Sequence, residues 1–67
     1  MTTYELLMLL EGTDAVVEVL PITPGTDYVG RVERVTKNWV RFAAEDSKSL
    51  VTHATYPINE ILVQVRL

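Results

Sequence analysis

Gly25-Thr26-Asp27-Tyr28-Val29-Gly30-Arg31-Val32-Glu33-Arg34-Val35 is the stretch whose reading decides the fold. From Tyr28 onward it is rich in aromatic and β-branched residues, the types that suit a pleated, half-buried surface. Gly25 follows Pro24, a pair that turns the chain into the strand. Gly30 then interrupts the strand itself. A glycine inside a strand marks a sharp bend or bulge, which small barrels need at their corners. The stretch therefore predicts one strongly bent strand over residues 28–35.

Working outward, Thr36-Lys37-Asn38 is a short turn, so a strand over 39–43 should run antiparallel to the first. Glu45-Asp46-Ser47-Lys48-Ser49 is a polar turn, and residues 50–55 read as a further strand. Tyr56-Pro57-Ile58-Asn59-Glu60 is a tight connection, because proline interrupts a ladder. Residues 61–67 follow, with Ile61, Val63, Val65 and Leu67 alternating with Leu62, Gln64 and Arg66. That period of two is the mark of a half-buried strand. Upstream, residues 15–20 are β-branched and apolar, and Pro21 closes them. Thr2-Thr3-Tyr4-Glu5 has the spacing of a capping box, with Met1 and Leu6 set as a hydrophobic staple. Gly12 suits a left-handed helix end, so a helix is predicted over residues 3–11. Five consecutive apolar residues, Leu6 to Leu10, leave it no clean polar face. The expected fold class is mainly β: a short N-terminal α-helix, then a five-stranded, strongly bent antiparallel barrel.

At 67 residues the chain forms a single domain, 1–67. Such a domain buries only about 60% of its unfolded surface, so it needs help from disulfides, metals or partners. It has no cysteine and one histidine, His53, so no disulfide and no cysteine- or histidine-rich metal site is available. Oligomerisation is left as the source of extra stability. The net charge of −3 opposes nucleic-acid binding on average, although local patches outweigh the sum. The apolar run at Leu6 to Leu10 is too short to span a membrane and lacks the flanks of a signal peptide. A cytoplasmic protein is expected, with no membrane partner.

Leu10-Glu11-Gly12 before the first strand, Gly25-Thr26-Asp27-Tyr28-Val29-Gly30, and Pro57-Ile58-Asn59-Glu60-Ile61-Leu62-Val63-Gln64-Val65 together make the chain resemble the Sm-like proteins, the superfamily of Sm, LSm and bacterial Hfq. Within it, the chain resembles the small type attributed to marine bacteriophages. The resemblance covers nearly the whole chain. It implies an SH3-like barrel whose fourth strand pairs with the fifth of the next copy, closing homo-oligomeric rings of about five to seven subunits. Such pairing removes the aggregation hazard of an open edge. The alternative is a monomeric barrel with that strand paired internally.

The resemblance also implies binding of single-stranded RNA, in the loops after the second strand and before the fifth. The chain departs from the family's pocket. Thr36 stands at its aspartate position, Trp39 and Val40 at its methionine and asparagine, and Pro57-Ile58 where Sm proteins have Arg-Gly. The Lys-His of Hfq is missing. What remains in or beside the loops is Lys37, Asn38 and Trp39, with Tyr56 and Asn59 across from them. These five are the candidate RNA-binding residues, Trp39 being alternatively a core or interface aromatic. Arg31, Arg34 and Arg41, clustered with Lys37, are the candidate phosphate contacts, or else a solvated face paired with acidic residues. A rival from another class is a structural or assembly ring that contacts protein, such as a phage accessory component. No cofactor and no enzymatic activity are expected. His53 adjoins no nucleophile motif and reads as a surface or interface histidine; Glu45-Asp46 sits in a polar turn.

Overall fold

The computed structural model describes residues 1–45 and 51–66. Helix α1 (Thr3–Leu10) precedes strands β1 (Val16–Pro21), β2 (Tyr28–Val35), β3 (Trp39–Ala44), β4 (His53–Pro57) and β5 (Ile61–Val65), with a 3-10 turn, η1 (Ile58–Glu60), before the last. The five strands form one antiparallel sheet in the order β4-β3-β2-β1-β5. The chain is thus mainly β, as expected.

The expected closure is not met. β4 and β5 are not paired with each other, so the sheet is open rather than a closed barrel. The reason lies in the connection. η1 carries the chain from one edge of the sheet to the other, and its ends are bonded to other elements. The Ile58 N–H donates to Asn38 O (3.0 Å), and Ile22 N–H donates to Glu60 O (2.8 Å). Two strands on opposite edges joined by three residues require a curled sheet. The irregularities that allow this lie on β2. A Cβ on Gly30 would sit on the carbonyl oxygen of Ala43, so β3 approaches the β2 backbone as only glycine permits. A bulge follows between Val32 and Arg34, where the register with β3 shifts by one residue.

The helix begins as the capping box predicts. Glu5 N–H donates to Thr2 Oγ1 (3.1 Å) and Thr2 N–H to Glu5 Oε1 (3.0 Å). It ends at Leu10, one residue earlier than expected, and Gly12 takes φ +75°. Its end also completes the bulged strand. Where β1 leaves β2, Gly12 N–H donates to Val32 O (3.0 Å) and Val35 N–H to Glu11 Oε2 (2.6 Å). Backbone groups that the bulge would strand are thereby satisfied.

Leu7, Val17, Val19, Tyr28, Val32, Val40, Phe42 and Ile61 form the core. Val17 and Val19, Tyr28 and Val32, and Val40 and Phe42 are the inward set that alternation predicts for β1 to β3. Tyr28, Phe42 and Tyr56 pack as an aromatic trio, ring centroids 6.0–6.5 Å apart. Burial pushes the Tyr28 hydroxyl's pKa up, and the hydroxyl donates to Val51 O (3.0 Å). β4 lies later than the predicted 50–55, since pairing with β3 selects residues 53–57; residue 50 falls outside the described residues. Among the described residues, no helix is long and apolar enough to cross a membrane.

Candidate nucleic-acid interface

The β2–β3 hairpin has a two-residue tip, Lys37-Asn38, with no positive φ. Thr36 closes it instead of a glycine. Thr36 N–H donates to Trp39 O (2.8 Å), and Thr36 Oγ1 accepts from Trp39 N–H (3.2 Å). The bond from Ile58 N–H to Asn38 O then ties this tip to η1. The two loops that the sequence singled out therefore meet. Lys37, Asn38 and Asn59 line one open cleft of about 760 Å³. Thr2, Tyr4, Ile22 and Leu62 line it as well. Sequence reasoning missed these four, because no local pattern puts the helix start beside the β5 edge.

The other candidates lie elsewhere. Tyr56 alternates inward on β4, half-buried, and its ring packs against Tyr28 and Phe42 of the core. Trp39 does not line the cleft. It stands on the outer face of β3, 38% exposed, opposite Pro57 of β4. Arg31, Arg34 and Arg41 share that outer face, away from the core. Arg41 Nε bonds Glu33 Oε1 (2.9 Å), and Arg31 approaches Asp14 at 4.0 Å. Exposed pairs of this kind contribute about 0–1 kcal/mol. Arg34 and Lys37 have no acidic partner among the described residues.

His53 is exposed on β4, as expected of a surface histidine. Its Nε2 lies 3.3 Å from Glu33 Oε2 and its Nδ1 3.2 Å from Thr52 Oγ1. This chain of hydroxyl, imidazole and carboxylate lies on an open strand face. Glu45 reaches Arg66 at 3.7 Å, whereas Asp46 lies outside the described residues. Among the described residues, no cluster of acidic, histidine or cysteine side chains is suited to a metal ion.

Both sheet edges present backbone. Arg66 N–H donates to Val16 O (2.8 Å), which fixes the alternation of the β1–β5 ladder. Ile61, Val63 and Val65 consequently aim their N–H and C=O groups outward. Ala44 N–H donates to Thr52 O (2.8 Å), and by the same rule His53, Thr55 and Pro57 are the outward residues of β4. Pro57 sits where its missing donor costs no ladder bond. Comparison with protein-family models, curated proteins and solved structures finds no match to this chain.

Proposed function

We propose that the chain is the subunit of a homo-oligomeric Sm-like ring that binds single-stranded RNA in the cleft between its two loops. The observation that carries this reading is the pair of open edges. β4 and β5, the strands that the resemblance pairs between copies, are the two ends of the sheet. Each offers outward N–H and C=O groups, and antiparallel pairing of β4 with the next copy's β5 satisfies both. The cleft supports the RNA half of the reading. Lys37 supplies a cation without an acidic partner among the described residues, and Asn38 and Asn59 supply amides able to donate to and accept from base edges.

Titration with U-rich and A-rich oligoribonucleotides at low and physiological salt tests it. Binding that weakens with salt and with Lys37→Ala and Asn59→Ala supports the reading. No binding at low salt contradicts its RNA half. A second reading, a ring that docks protein, is favoured by the outer side of α1, where Met1, Tyr4, Met8 and Leu9 are exposed.

A further inference from the structure

We propose that the outer face of β2–β4 is a second contact for a single nucleic-acid strand, separate from the cleft. There Trp39 stacks a base, and Arg34 and Arg41 hold the flanking phosphates. This rests on the nucleic-acid reading above but uses residues that do not line the cleft, although Pro57, opposite Trp39, borders it.

Three observations carry it. First, the bulge between Val32 and Arg34 sets both Glu33 and Arg34 against Arg41. Without the extra residue, Glu33 alone would face Arg41. Two arginines placed directly across an antiparallel pair repel each other. Glu33 is shared between Arg41 and His53, which leaves Arg34 without an acidic partner among the described residues. Among the described residues, Glu33 is the carboxylate beside these two arginines and is already engaged, and a phosphate supplies Arg34 with charge-assisted bonds.

Second, Trp39 lies two residues from Arg41 on the same strand face, so the two side chains stand about 7 Å apart. Tryptophan is the largest apolar side chain, and here it is 38% exposed rather than packed in the core. Its neighbour across the ladder is Pro57, also exposed, so the ring borders an open surface. An aromatic face beside cations is the combination that holds a single strand without reading its sequence.

Third, Lys37 stands two residues before Trp39 at the hairpin tip and lines the cleft. A strand leaving the cleft past Lys37 reaches Trp39 next. An acidic peptide would use the arginines but not the indole, so the observations favour a strand with bases.

Trp39 is the only tryptophan in the chain, so tryptophan fluorescence reports on its surroundings alone. The test titrates the full chain with oligo(U), oligo(A), oligo(dT) and polyglutamate, following both Trp39 emission and the anisotropy of labelled oligomers. Quenching of Trp39 by the oligonucleotides but not by polyglutamate is expected, with the deoxy strand showing whether the 2′-hydroxyl matters. Trp39→Ala should weaken binding about 5- to 140-fold, the range a lost base stack gives. Arg34→Ala, with Trp39 intact as the reporter, should lower the slope of log affinity against log salt by about 0.7. Oligomer binding with unchanged Trp39 emission, and unchanged affinity in Trp39→Ala, overturns this contact while leaving the cleft reading intact. Equal quenching by polyglutamate, competing with RNA, overturns it in favour of an acidic protein segment. No binding of any strand at low salt overturns both.

Discussion

Replacing Gly30 by alanine is the sharpest test of how the sheet curls. The added Cβ would sit on the carbonyl oxygen of Ala43, with the Ala43 carbonyl carbon and Tyr28 Cε1 at 3.0 Å. Two of these three atoms belong to the β3 backbone, which is held in ladders with β2 and β4. They cannot rotate away as the end of a flexible side chain can. Relief requires β3 to slide away from β2, at a cost of about 1–3 kcal/mol for overpacking of this kind. A domain of this size has roughly 3–10 kcal/mol of stability in all. With a urea dependence of about 1 kcal/mol/M, the unfolding midpoint should fall by about 1–3 M. The assay is urea unfolding followed by far-ultraviolet circular dichroism at fixed protomer concentration, since assembly adds stability. Gly25→Ala is the control, because nothing lies within 3.8 Å of its added Cβ. A Gly30→Ala midpoint lowered no more than the control's would refute the close approach of β2 and β3.

Glu11→Ala removes the acceptor for Val35 N–H beside the bulge and should cost about 1–2 kcal/mol by the same unfolding assay, with Glu11→Gln recovering part of it. Glu5 is held below its ordinary 4.5 by the Thr2 N–H and, secondarily, the Thr2 hydroxyl. Its contribution is therefore complete above 4.5 and is lost as pH falls through the lowered value. Glu5→Gln, which keeps the box but not the charge, should lose less stability than wild type as pH is lowered from about 6 to 3. Thr55→Pro removes an N–H that points out of β4, away from its ladder with β3. It should leave the circular dichroism of the subunit unchanged and lower the mass measured by light scattering, if β4 pairs between copies.

The helix start and the bent strand were legible in the sequence because each depends on neighbours in the chain. Thr2 and Glu5 are three residues apart, and Gly12 ends the helix where its φ is needed. Gly30 marks the place where β3 comes close, although the sequence does not say which strand approaches. The bulge at Val32–Arg34 was not legible, and it decides where the cations point. It keeps Val32 and Val35 inward while leaving Glu33 and Arg34 both exposed. Strand parity likewise separates the candidate site. Trp39 alternates outward and Tyr56 inward, so two aromatics that flank the loops in sequence end on opposite faces. Closure was not legible either, because it depends on whether two edge strands meet each other, and nothing local encodes that. Pro57 fits inside β4 for the same non-local reason, its missing donor lying on the unpaired side.

The central claim is that the open edges β4 and β5 meet between copies. Light scattering coupled to size-exclusion chromatography measures it directly. The account predicts a single species of about five to seven times the 7.6 kDa subunit mass, stable on dilution. A monodisperse species of 7.6 kDa at the same concentrations would contradict it.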